Sequence, residues 1–157
     1  MEEYERFLKT AREFAAWCEG DEPVTDLFPL LQLLSRLYAQ GLELPMTDFD
    51  PDLEGGAISH EEWHDHFRRI GARLPFGYYK AVMEPFELDK LEDPAGVADL
   101  ADDLADIHRD LLRGFFAADA GDPQTACFAF RQSLWIHWGE HATSAIHALQ
   151  LWTQDEQ

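Results

Sequence analysis

Two segments hold the side chains whose types and spacing could do chemistry, Asp99-Leu-Ala-Asp-Asp-Leu-Ala-Asp-Ile-His-Arg-Asp110 and Trp135-Ile-His-Trp-Gly-Glu-His141. On a helix turning about 100° per residue, Asp99, Asp103, Asp106 and Asp110 fall within an arc of roughly 60°, beside an apolar stripe of Leu100, Leu104, Ile107 and Leu111. Like charges three and four residues apart repel, so the stripe calls for a cation. Arg109, Arg113, Arg131, a protonated histidine or a metal ion would serve. In the second segment, His141 projects from the middle of a face formed by Phe130, Leu134, Trp138, Ala145, Leu149 and Trp152, with His137 at its edge. An imidazole buried there without a partner costs about 1–3 kcal/mol, and an aspartate of the preceding helix is the natural partner.

The candidate cluster is therefore Asp103, Asp106, Asp110, Arg131, His137, Trp138 and His141. Two roles fit it. The carboxylates and imidazoles form a structural clamp, or Asp103, Asp106, Asp110, His137 and His141 supply ligands to a divalent metal, since imidazoles at i,i+4 can converge on one ion. No catalytic residue is assigned. Gly139, inside the second segment, would let another backbone approach closely.

Other motif matches carry less. His60-Glu-Glu-Trp-His64 fits the zinc-protease pattern, but Ser59 with Glu62 forms a capping box, so the match falls on a helix N-terminus. His137-Trp-Gly-Glu-His141 fits the inverted pattern with only sixteen residues after it. Asp48, Asp50, Asp52 and Glu54 mimic a calcium loop, yet Leu53 stands where that loop needs glycine and Ser59 where it needs glutamate. No Gly-rich phosphate loop, nucleophile elbow or Cys-x-x-Cys is present.

The elements that must position these residues read as helices throughout, which predicts an all-α, single-domain bundle of five to six helices over residues 1–157. Tyr4, Phe7, Leu8, Ala11, Phe14, Ala15 and Cys18 mark a first helix, with Gly20 as a left-handed stop. A Leu-rich second helix spans Asp26 to Gln40, Pro29 in its opening turn and Gly41 closing it. Residues 45–58 read as an exposed acidic loop with Gly55 and Gly56, and a third helix runs from Ser59 to before Pro75. Phe76 to Pro85 reads as a short helix presenting Tyr78, Tyr79, Val82 and Met83. Asp93-Pro94 opens a long helix to about Ala118, and Asp122-Pro123 opens the last, to about Trp152. The Gly121 turn makes the last two long helices antiparallel and brings the two segments face to face. Residues 153–157 read as a frayed tail. Trp63, Tyr78 and Tyr79 suit either the core or a dimer face.

The 31 acidic against 12 basic residues give a net charge of −19, which argues against nucleic acid or anionic lipid as partner and steers a basic protein toward the chain. An apolar fraction of 46% with five Trp supports a sizeable core. Cys18 and Cys127 suit small buried hydrophobes in a reducing, cytoplasmic setting, and neither a leader nor a membrane span is expected.

Four stretches carry a family resemblance: Leu37-Tyr38 through Leu44-Pro45, Tyr78-Tyr79 with Pro85, Leu100 to Leu111 with Gly114, and Ser133 to Ala148 around His137-Trp-Gly-Glu-His141. On these the chain resembles the uncharacterised bacterial family DUF5063. The resemblance implies an all-helical domain, a tyrosine as the usual residue at the position of His108, and no activity. It also leaves His60, His64 and His66 outside the motifs. Two functions are expected from different classes. One is a non-catalytic acidic module, immunity-type or adaptor, that needs no cofactor and engages a basic protein. The other is a metal-binding protein or metal-dependent hydrolase built on the Asp/His cluster.

Overall fold

The computed structural model describes residues 1–52, 55–90 and 95–156. It is predominantly helical, in the order α1 (Glu2–Cys18), α2 (Phe28–Glu43), α3 (His60–Arg73), β1 (Tyr78–Ala81), β2 (Gly96–Asp99), α4 (Leu100–Asp119), α5 (Pro123–Ser133), a π-helical segment (Leu134–Trp138) and α6 (Gly139–Asp155). The apolar faces anticipated on the first two helices form the core. Phe7, Phe14 and Cys18 of α1 and Leu30, Leu34 and Leu37 of α2 are sealed from solvent together with Leu100, Leu104, Ile107 and Leu111 of α4. Both cysteines are buried free thiols.

Capping chemistry sets the helix starts. The Ser59 hydroxyl accepts from the Glu62 amide at 3.1 Å while the Glu62 carboxylate accepts from the Ser59 amide at 2.8 Å, closing the expected box. Asp122 caps α5 through the Thr125 amide, with Pro123 in the first turn. Gly121, at φ +80°, makes the tight reversal from α4 into α5.

Several boundaries differ from the sequence expectation. The cap expected at Asp93-Pro94 lies outside the described residues. α4 instead begins at Leu100, capped by Asp99, whose carboxylate accepts from the Ala101 amide at 2.9 Å. The expected helix at 76–85 is a strand: Tyr78–Ala81 pairs antiparallel with Gly96–Asp99 in the register Tyr78 to Asp99 and Tyr79 to Ala98. Adjacent tyrosines favour a pleated backbone, and a four-residue strand is too short for its alternation to stand out. The alternation is nonetheless there, with Tyr78 exposed and Tyr79 turned inward.

Gly20 is not left-handed, because α1 ends on Glu19 in the right-handed region. α2 starts two residues later than expected, and Gly41 lies within it. The 45–58 segment has no regular structure where described, yet it is tied to α5: Thr47 donates to the Gln124 carbonyl at 2.8 Å, and Phe49 stacks on Phe128. Leu53 and Glu54 of the calcium-like run lie outside the described residues. The C-terminal end is not frayed at Thr153, which is buried and donates to the Leu149 carbonyl.

Residues 123–155 form the long last helix that was expected, but it is not a regular α-helix. At Leu134–Trp138 it widens into a π turn, and the Gly139 amide donates to the Leu134 carbonyl five residues back. A Cβ at position 139 would stand 2.5 Å from that carbonyl oxygen. The close approach foreseen at Gly139 is therefore made by the helix's own backbone.

Candidate metal centre

α4 and the α5–α6 rod run antiparallel, so Asp103 faces His141 and Asp110 faces His137. His137 Nδ1 lies 2.7 Å from Asp110 Oδ2, and His141 Nδ1 lies 2.8 Å from Asp103 Oδ1. A carboxylate only accepts, so each Nδ1 carries the proton and donates it. The two Nε2 atoms then point at one another, 3.3 Å apart. Asp106 Oδ2 completes the triangle, 3.3 Å from His141 Nε2 and 3.8 Å from His137 Nε2. Metal–ligand bonds of about 2.0–2.2 Å at tetrahedral angles set donor atoms about 3.4 Å apart, which matches these separations.

The surroundings hold this triangle in place. Both oxygens of Asp103 are committed, one to His141 and the other to the Tyr79 hydroxyl, which donates at 2.5 Å. Asp106 is 8% exposed. Its Oδ1 has the Arg109 guanidinium 2.9 Å away but out of hydrogen-bonding alignment, so the charge is compensated while the oxygen has no directed donor. Two imidazoles, each oriented through Nδ1 by a carboxylate, with a third carboxylate in their midst, reproduce the outer-shell pattern that orients histidine ligands and raises their basicity. A π turn inside an α-helix is itself a frequent feature of functional sites.

Electrostatics follow from the same contacts. The hydrogen bond to Asp103 raises the His141 pKa above the ordinary imidazole value, against the opposing effect of burial. Asp110 is raised chiefly by burial, although His137 pulls it down. Tyr79 is raised by burial and by its bond to Asp103, so it stays a neutral donor. Asp102, beside the cluster, is raised by burial and by the neighbouring Asp106 charge. A protonated His141 supplies a cation in the carboxylate stripe and places a proton between the two Nε2 atoms and Asp106. A metal ion would take the position of that proton.

Of the seven residues expected in the cluster, Asp103, Asp106, Asp110, His137 and His141 meet. Two do not. Arg131 points to the end of α2, where its guanidinium donates to the Leu44 carbonyl and meets the sulfur of Met46. A helix C-terminus, with its unpaired carbonyls, is a better acceptor for it than a distant carboxylate. Trp138 is sealed in the core near Phe7, its indole N–H directed at the Phe130 carbonyl at 3.4 Å. Tyr79 and Arg109 belong to the site instead. Tyr79 arrives from β1, a strand where a short helix is expected from the sequence. Arg109, expected only as a countercharge, flanks Asp106.

The zinc-protease pattern does not assemble. His60 and His64 are exposed, with ring centroids 6.4 Å apart, and His60 stacks on Trp63 at 5.6 Å. His108 is buried on the opposite face of α4, its Nε2 3.2 Å from Glu19 and its ring 4.6 Å from that of His66. Burial depresses its pKa.

The fold recurs in a solved structure, the crystal structure of protein BF1032 from Bacteroides fragilis. The two superimpose with a TM-score of 0.71 over 94% of this chain and 92% of that one, at 19% sequence identity. No curated protein matches the sequence. The family model described as a domain of unknown function, DUF5063, matches residues 1–154, from the start of α1 almost to the end of α6 and across both strands of the cluster's support. With that span covered, the chain belongs to the DUF5063 family.

Proposed function

We propose that the protein binds a divalent transition metal through His137 Nε2, His141 Nε2 and Asp106. The observation that carries this reading is the convergence of these three donor atoms, 3.3, 3.3 and 3.8 Å apart, with both Nδ1 atoms already committed to carboxylates. Two imidazoles and a carboxylate suit zinc and iron(II). Such a set leaves coordination positions open, and an ion held this way lowers the pKa of a bound water toward neutrality. Asp103, Asp110 and Tyr79 are positioning residues behind the histidines.

Elemental analysis of protein purified without chelator, followed by zinc titration, tests the reading. One ion per chain, lost in His141→Ala and His137→Gln while the helical circular dichroism spectrum persists, is the expected outcome. No uptake by the wild type, with His141→Ala only less stable, would make the cluster a clamp.

A second reading rests on a different surface. Val82, Met83, Phe86 and Leu88, between the two strands, are 74%, 57%, 93% and 69% exposed, beside Glu84, Glu87 and Asp89. Apolar side chains rimmed by acid in a strongly acidic chain favour a docking face for a basic protein. Association that weakens steeply with salt supports it, and salt-independent association would count against it.

A further inference from the structure

A cavity of about 450 Å³ opens beside His137, between α4, α5 and the 57–58 stretch. Arg109 and Arg113, one turn apart on α4, line it with Gln132, Asp110 and Ile58. In a chain with 12 basic residues against 31 acidic, two guanidiniums in one concave site run against the general charge. Arg113 is exposed, and among the described residues no carboxylate lies within ion-pairing distance of it. Asp110, which shares the lining, gives one oxygen to His137 and makes no ion pair with Arg113. Arg109 reaches both ways: it flanks Asp106 Oδ1 and faces the cavity.

The stretch that leads into Ala57 and Ile58 of the lining is built closely onto α4. Gly56, at φ +76°, lies flat on α4, where a Cβ would stand 2.6 Å from the Leu112 carbonyl oxygen and 2.8 Å from the Arg113 Cα. Only glycine combines that dihedral with that approach. The 55–58 stretch is thereby pressed against the helix face that carries the guanidiniums.

The geometry points to an oxyanion pocket in which Arg109 and Arg113 hold the phosphate group of a small molecule, next to the face of His137. Guanidiniums present parallel N–H pairs to phosphate oxygens; Arg113 brings the charge that no carboxylate has taken, and Arg109, shared with Asp106, brings further N–H donors. The Gln132 amide adds a neutral donor at the rim. The volume suits a small phosphorylated molecule rather than a polymer. The pocket adjoins the proposed metal centre but does not depend on it.

Titration with inorganic phosphate, followed by NMR of the arginine Nε–Hε and glutamine side-chain resonances, tests the inference on chelated and on zinc-loaded protein. Saturable shifts at Arg113 and Gln132 in both forms, with affinity at least about tenfold weaker in Arg113→Gln, are expected, since each lost charged hydrogen bond is worth about 1.5–3 kcal/mol. Arg113→Gln should keep its zinc stoichiometry and melting temperature. Binding that vanishes on chelation would place phosphate on the metal and overturn the pocket, while leaving the metal reading intact. An unchanged affinity in Arg113→Gln, or acetate binding as tightly as phosphate, would overturn it as well. Phosphate binding in a protein that takes up no zinc would uphold the pocket and sink only the metal reading.

Discussion

His137 and His141 share their i,i+4 separation with His60 and His64, yet the two pairs have different surroundings. The first pair stands over α4, where Asp110 and Asp103 each fix one Nδ1 and Asp106 meets both Nε2 atoms. The second lies at the exposed start of α3, where Glu62 is spent on the Ser59 cap and His60 is turned onto Trp63. Ring centroids are 4.8 Å apart in one pair and 6.4 Å in the other. Spacing along a helix brings imidazoles near each other, but the carboxylates on a facing helix turn them into a donor set.

That contrast breaks most sharply at the ligands. Asp106→Asn and His141→Gln should each lower zinc affinity by more than about 100-fold, beyond the range expected for outer-shell changes. His60→Ala with His64→Ala should leave it unchanged, as isothermal titration calorimetry will measure. A loss of affinity in the His60/His64 variant would reverse the comparison.

The next largest effect belongs to the carboxylates behind the rings. Asp110→Asn and Asp103→Asn should weaken zinc by about 10–100-fold, with Tyr79→Phe nearer the lower bound because Asp103 keeps its bond to His141. Wild-type affinity in all three would mean that the histidines need no orientation.

Gly139 sharpens the comparison from the backbone side, since α3 has no counterpart to the π turn beneath His137. Gly139→Ala drives a methyl group against the Leu134 carbonyl. It should cost about 1–3 kcal/mol in chemical denaturation and weaken zinc binding with it. A neutral substitution would show that the turn is not held by the glycine.

The smallest effect is the pH dependence of the metal-free protein, and its sign differs between His141 and His108. His141 has a raised pKa, so its linked stability is present below the ordinary imidazole value of about 6.5 and is lost as pH rises through the higher folded value. His108 has a depressed pKa, so its contribution is present above about 6.5 and is lost as pH falls through the lower folded value. Denaturation across pH 5–8 (a range of about three units about the imidazole pKa) should show His141→Gln narrowing its deficit on the alkaline side. A deficit that grows with pH would contradict the Asp103 partnership.

How much of this was legible beforehand depended on whether a contact was set by local spacing. The four aspartates at i,i+3 and i,i+4, the cap at Asp122-Pro123 and the Gly121 turn fix both the face of α4 and the direction of the next helix, so Asp103, Asp106 and Asp110 could be matched to His137 and His141. Tyr79 could not be matched, because its strand is four residues long and its partner lies on another element. Arg131 was misplaced for a related reason: charge alone assigned it to the carboxylates, whereas the end of α2 lies closer. The π turn left only one trace, a glycine inside a helix. Its meaning depends on a hydrogen bond five residues back, which no periodicity of 3.6 reveals.

The most direct measurement is long-range proton–nitrogen NMR of all seven histidines during zinc titration. His137 and His141 should keep their Nδ1 protons and show metallation at Nε2 at one equivalent of zinc, while His60, His64, His66, His108 and His147 stay unperturbed. Zinc shifts centred on His60 and His64, or metallation at Nδ1 of His137 or His141, would contradict the assignment of this centre.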